Sequence, residues 1–359
     1  MPHLASLLVP LALGATVQVP AGADLSAALA SARPGDVIRL GPGQHRASLG
    51  RRSGPLRIEG AGPEATEVVA PEGEDGLVVV EGGEVSLSGL ALRAGRARSA
   101  LKVLGGAVRC REVLLQGGTT GAFVEGGRLE GQEVTLGGDW GLLARGQVQL
   151  TGGAASGLRA GVALLSGSLT LTRFAVTGPS AEAGVSVSGP SRARLVDVVI
   201  RSPGASGLAV TSGASVEAVA LEVAGAQEQG GFLGDCVQVR RATVKLQGGT
   251  LSRCAGAALE ASRAAVDLRG VGAAGGDAGC LALIDGTTAR LDGNRCTGRG
   301  PAVVIAGGSK ASARMSRWQV DPVYWVECGS GARVKLGDGE RVSEPCRGAA
   351  DPLDRSPRP

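Results

Sequence analysis

The chain has 359 residues, 61 of them Gly, an aromatic content of 2% and a formal charge of +4. So few aromatics exclude a large compact core, which draws much of its buried area from such side chains. A hydrophobic fraction of 43% excludes a disordered Gly-rich chain, and Gly without a three-residue period excludes collagen. The charge is mild and no basic run is interleaved with aromatics, so no nucleic-acid partner is expected.

In chain order, the first element is LASLLVPLALGA, residues 4–15. It is too short to span a bilayer and has the length of a signal-peptide core, although His3 stands where a basic residue is customary. Residues 1–15 are therefore expected to be a signal peptide. Either Ala12-Leu13-Gly14 or Leu13-Gly14-Ala15 can precede the cut. The expected location is secreted, periplasmic or at the cell surface. No later apolar run reaches membrane length, so no membrane span is expected. Next, DLSAALASAR (24–33) reads as a short amphipathic helix, with Asp24 as N-cap and Pro34-Gly35 as its stop.

The body of the chain is a repeat. Units start near Gly76, Ala100, Gly121, Gly141, Gly161, Gly184, Gly207, Cys236, Ala258, Gly279, Pro301 and Tyr324. A period of 20–29 residues sustained over twelve units is the signature of a solenoid. Within units the alternation has period two, as in Gln147-Val148-Gln149-Leu150-Thr151 and Ser168-Leu169-Thr170-Leu171-Thr172. That pattern means short strands with one buried face. The expected fold is all-β, a single-stranded parallel β-helix of about 12 or more coils. Its open ends need covers. The helix at 24–33 is expected to cap the N-terminal end, and Trp318, Tyr324 and Trp325 to form a lid at the other. Residues 16–346 then form one domain, and 347–359 a disordered tail.

Residues 25–43, LSAALASARPGDVIRLGPG, resemble the N-terminal cap and first coil of right-handed parallel β-helix proteins of the pectate-lyase-like superfamily. The matching parts are Pro34-Gly35-Asp36, Val37-Ile38-Arg39-Leu40 and Pro42-Gly43, with His45 where Tyr is common. LRIEGAGPEATEVV (56–69) is similar to the second coil. The resemblance covers essentially residues 16–346. It implies the right-handed fold and says little of function, since this fold hosts lyases, hydrolases, esterases, epimerases, adhesins and tailspikes.

Cys236 and Cys254, and Cys280 and Cys296, fall at nearly the same two stations of their coils, so each pair is a disulfide candidate. Cys328 and Cys346 would close the last coil. Three disulfides suit an exported protein. Cys110 alternates with Val108 and is expected in the core. No Cys spacing suits a zinc site, and no metal is expected as a resident ligand. The acidic loop of Glu72, Glu74 and Asp75 could hold calcium weakly, but reads first as a solvated turn.

Only two His are present, His3 and His45, so a His base mid-rod is excluded. Asp75, Asp139, Asp235 and Asp277 share one turn column, where Asp is favoured for backbone reasons. Asp235 and Asp277 are two coils, roughly 10 Å, apart, wide for a paired-carboxylate mechanism. Arg109, Arg192, Arg194, Lys245 and Arg290 are expected on the wet side of one strand column, interrupted by Gln149, Glu217 and Asp267. Such a face could hold an anionic polysaccharide, but reads first as a solvated face. The longest unit carries the insert GAQEQGGFLGD (225–235), which makes Glu228, Phe232 and Asp235, with Arg240 and Arg241 on the next strand, the candidate binding residues. The expected function is an exported scaffold or binding rod, non-catalytic, with a polysaccharide or cell-surface component as partner. The alternative is a polysaccharide-active enzyme of lyase type with an Arg or Lys base.

Overall fold

The structure, a computed structural model, describes residues 14–341 except 72–75, 96–98, 179, 202, 229–233, 277, 299, 315, 320–323, 327–330 and 337–338. Each coil of about 13 turns contributes strands to three parallel sheets. In chain order within a coil we term them sheets A, B and C. Sheet A runs from Gly50–Arg52 to Tyr324–Val326, sheet B from Thr16–Val19 to Arg333–Leu336, and sheet C from Gly43–Arg46 to Arg317–Trp318.

Parallel pairing places each residue on its equivalent one coil later, so like stacks on like. Inside sheet B, Ile58, Leu87, Cys110, Gly131, Leu150 and Leu171 form one stack. Inside sheet A, Leu101, Ala122, Leu142, Val162, Val185 and Leu208 form another. All of these residues except Gly131 belong to one continuous apolar core. Aliphatic stacks fill the thin cross-section, which is why the chain needs so few aromatics. Cys110 lies in the core as expected, and burial pushes its thiol up to about 12. His45 is also inward and buried, with Nε2 2.9 Å from the carbonyl oxygen of Gly41.

The corner from sheet C to sheet A explains the glycines that open so many repeats. Gly121, Gly141, Gly161, Gly184 and Gly207 occupy this corner on five successive coils. A Cβ on Gly121 would lie 2.7 Å from the Gly141 oxygen, and one on Gly161 would lie 3.0 Å from the Gly184 oxygen and strike Val176. The requirement here is space. At the corner from sheet B to sheet C the requirement is conformational. Glu112, Glu133, Arg173, Asp197 and Ala220 hold φ of 51–54° there, interleaved with Gly89, Gly152, Gly248, Gly270 and Gly293. A left-handed residue turns the chain sharply in one step, at about 1 kcal/mol for a non-Gly residue.

Two disulfides are present among the described residues. Cys236–Cys254 has Cα atoms 5.4 Å apart and Cys280–Cys296 6.1 Å. Cys280 stands at the glycine corner and Cys296 in the inner stack of sheet C that contains Val223, so this bond joins the stations that Gly207 and Val223 fill by contact. Cys328 and Cys346 lie outside the described residues, as do residues 1–13 of the expected signal peptide and the expected tail, 347–359. A helix, Leu25–Ser31, precedes the second strand of sheet B. Asp24 accepts hydrogen bonds from the N–H groups of Ser26 and Ala27, and Leu25 and Leu29 join the core. At the far end, Gly339–Arg341 pairs antiparallel with Arg333–Leu336 and covers that edge. Trp318 follows Cys296 in sheet C and packs against the core; the side chains of Tyr324 and Trp325 are outside the described residues.

These two corners predict opposite responses. Gly161→Ala should destabilise by about 1–3 kcal/mol through overpacking. Ala220→Gly should stabilise by about 1 kcal/mol by relieving the left-handed backbone. Urea denaturation of the two variants checks both signs.

Candidate functional site

Sheet B has its outer face in solvent, and its middle row is continuous along the rod. In register order the row reads Arg57, Ser86, Arg109, Glu130, Gln149, Thr170, Arg194, Glu217, Lys245, Asp267, Arg290, Ser312 and Lys335. This is the wet column expected from the sequence. Arg192 lies one row aside, stacked between Ser168 and Ser215. Steps of about 4.8 Å separate successive residues. From Arg194 to Arg290 the sign alternates at every step, so the cations are balanced by acids.

Three recesses follow this row. The largest, about 590 Å³, is lined by Arg57, Glu59, Ser86, Arg109, Glu130 and Gln132 among others. A second lies over Arg194, Glu217, Lys245 and Asp267, and a third over Arg290, Asp292, Arg314 and Lys335. Each is an open stretch of groove rather than an enclosed pocket, and the coils of Gln149 and Thr170 separate the first from the second.

The carboxylates of the largest recess are engaged. Glu59 accepts from Arg39 at 3.0 Å and is approached by Arg57 at 2.6 Å. The Arg39 hydrogen bond, followed by the nearby Arg57 charge, holds its carboxyl below the usual range against the opposing effect of burial. Glu130 pairs with Arg109 at 3.2 Å and with Arg128, and Arg109 also reaches Glu84. Glu112 pairs with Arg111 at 3.6 Å from its left-handed corner. The largest recess therefore presents guanidinium, hydroxyl and amide groups, with its acids tied into ion pairs. Such a surface binds polyols and anions. A general acid needs a carboxyl whose pKa is raised, and the Glu59 carboxyl is shifted the other way. The nearest Cys faces inward and the described His is in the core. No group of three or more His, Cys, Asp or Glu is placed to hold a metal among the described residues. The acidic loop of Glu72, Glu74 and Asp75 lies outside them.

The insert residues are arranged differently. Glu228 is exposed and Phe232 lies outside the described residues. Asp235 is fully buried, and its Oδ1 accepts the Ala257 N–H of the next coil at 2.7 Å. Arg240 is exposed, with Nη2 3.4 Å from Oε1 of the buried Glu260. Arg241 is exposed and holds φ of 50° at a corner shared with Ser212, Arg263 and Asp285. The structure thus joins Arg240 to Glu260, which the sequence did not single out, and turns Asp235 to a backbone amide. Asp277 is outside the described residues. Sequence reasoning also missed Glu59, Glu130 and Gln132; their offsets within the repeat were the available signal, and coil length drew the weight elsewhere. On sheet A, two aromatic faces are covered by cations, Lys102 over Phe123 at 5.6 Å and Arg159 over Trp140 at 4.9 Å.

No family model and no curated protein matches the chain in sequence. Among solved structures, the A-module of a mannuronan C-5 epimerase from Azotobacter vinelandii superposes with a TM-score of 0.56 at 12% identity, covering 84% of this chain and 91% of that one. The fold is the right-handed parallel β-helix. Two further β-helix structures match with lower scores. An alginate lyase from a Paenibacillus species gives a TM-score of 0.30 at 14% identity, covering 89% of this chain and 99% of that one. The catalytic domain of an α-1,3-glucanase gives 0.41 at 13%, covering 88% and 68%. Likeness at these identities shows the fold, and the β-helix groove must be judged on its own residues. No described helix of this β-helix is long and apolar enough to cross a membrane.

The Glu59 shift carries a pH prediction. A carboxylate whose folded pKa is depressed stabilises above its unfolded value, and that stability is lost as pH falls through the folded value. Arg39 is half exposed, so the effect is discounted to under about 1 kcal/mol. Glu59→Gln should be less stable than the parent at neutral pH, with the difference vanishing in acid; denaturation midpoints across pH check it.

Proposed function

We propose that the chain is an exported rod that binds a linear polysaccharide along sheet B without cleaving it. The observation that carries this is the unbroken outer row with its three recesses, whose polar groups repeat at about 4.8 Å while the carboxylates of the largest recess sit in ion pairs. A repeating surface fits a repeating polymer. The structural likeness to a mannuronan C-5 epimerase, which acts on a polysaccharide, supports carbohydrate as the partner class. The two disulfides support an oxidising destination, and the apolar N-terminal segment supplies the leader for it. The β-helix that follows, up to residue 346, forms the rod, with Leu25–Ser31 closing its N-terminal end and 347–359 as a tail. The exposed Glu228, Arg240 and Arg241, with Phe232 of the same insert, form a secondary contact region in this reading, and the buried Asp235 holds the Ala257 N–H behind them rather than touching the polymer.

The test is retention of the protein on immobilised acidic and neutral polysaccharides, with polymer chain length followed in parallel. Binding without shortening is expected. Arg109→Ala combined with Gln132→Ala should weaken it by roughly tenfold, the loss expected from one or two charge-assisted hydrogen bonds, while Arg241→Ala should change it little. The reverse pattern would move the site to the insert. Polymer cleavage or unsaturated ends would establish the enzyme alternative, with an Arg or Lys of the groove as base.

A further inference from the structure

The N-terminal end of the rod is clasped in a way that bears on how the chain matures. Asp36, from the Pro34-Gly35-Asp36 turn, is 8% exposed. Its Oδ2 accepts the Arg33 N–H at 2.8 Å, and its Oδ1 accepts the Ala15 N–H at 2.7 Å. These backbone donors, Arg33 first and then Ala15, hold its carboxyl below the ordinary aspartate range. The Val37 N–H in turn donates to the Ala15 carbonyl oxygen at 2.9 Å. Ala15 is thus gripped at both its backbone groups, and strand Thr16–Val19 begins immediately after it. Gly14 lies against Gly35 so closely that a Cβ there would overlap the Gly35 carbonyl.

The sequence allows a cut after Gly14 or after Ala15, with a small residue at the cut in either case. The two cuts have different consequences. Removing Ala15 would take one donor from the Asp36 carboxylate and leave the Val37 N–H without its acceptor. Cutting between Gly14 and Ala15 keeps both bonds. Water then hydrolyses the Gly14–Ala15 peptide bond, the carboxylate leaves with Gly14, and the new amine of Ala15 takes up a proton at neutral pH. The former amide nitrogen becomes an ammonium 2.7 Å from Asp36 Oδ1. A charge-assisted bond of this kind is roughly twice as strong as its neutral counterpart.

We infer that the chain is processed between Gly14 and Ala15, and that the liberated Ala15 ammonium pairs with the buried Asp36 carboxylate to lock the first coil. This rests on the export reading above. The unprocessed chain has the amide–carboxylate bond alone, so maturation itself tightens the end of the rod. Gly14 serves the unprocessed chain twice, as the small residue at the cut and as the residue that fits against Gly35.

The experiment is to produce the full chain in a bacterium with a working export pathway, recover the exported protein, and determine its mass and N-terminal sequence. A start at Ala15 is expected. A start at Thr16 or elsewhere overturns this inference and leaves export standing. Retention inside the cell with residues 1–14 attached overturns the export reading and this inference together. The ion pair has its own readout. For the chain beginning at Ala15, N-acetylation should lower Tm, and Asp36→Asn should lower Tm more in the free-amine form than in the acetylated form. Unchanged Tm on acetylation of the native sequence overturns the pair, whatever the folding yield of Asp36→Asn.

Discussion

The parallel hydrogen bonds between one coil and the next constrain everything else in this molecule. They fix the step at about 4.8 Å and bring each residue directly over its counterpart. A column must therefore tolerate one kind of side chain many times over. Inside, that favours stacks of Val and Leu, whose branched side chains nest on themselves. At the corner between sheets C and A it demands residues without a side chain where Val176, Ile200 and Val223 press in. Outside, it brings like charges together unless signs alternate, as they do from Arg194 to Arg290.

This constraint is also why the fold was legible in the sequence. Units starting at Ala100, Gly121, Gly141, Gly161, Gly184, Gly207, Cys236 and Ala258 are in true register. The units at Gly76, Gly279 and Pro301 are one residue early, because Leu77, Cys280 and Ala302 fill the corner there and a neighbouring residue mimics the signal. The two described disulfides were legible from equal stations in the repeat. The left-handed corners were not, because Glu112, Arg173 and Ala220 have no chemistry that announces a positive φ. The candidate site was half legible. Period two placed Arg109, Gln149, Glu217, Lys245 and Asp267 in one row, but sequence alone could not show that Glu130 bridges two guanidiniums or that Asp235 turns toward Ala257.

The faces of the rod differ in ways that matter for function. Sheet B offers a long polar row with recesses, and sheet A carries aromatic faces already covered by cations. The charge balance along sheet B argues against a simple electrostatic trap for polyanions. It suits a polymer held by many hydrogen bonds, each weak, with affinity growing with the number of coils engaged. The last coils depart from this balance, where Arg290, Arg314 and Lys335 surround Asp292 in one recess. A polymer bearing acidic units would find its strongest hold at that end.

The central claim is that sheet B is the working surface. The most direct measurement is amide hydrogen exchange with and without a bound polysaccharide, with polymer length followed in the same samples. The account predicts added protection in the sheet B strands from Leu56–Glu59 to Lys310–Arg314, and polymer of unchanged length. Protection confined to the insert and sheet A around Val237–Arg240, or progressive shortening of the polymer, would contradict it.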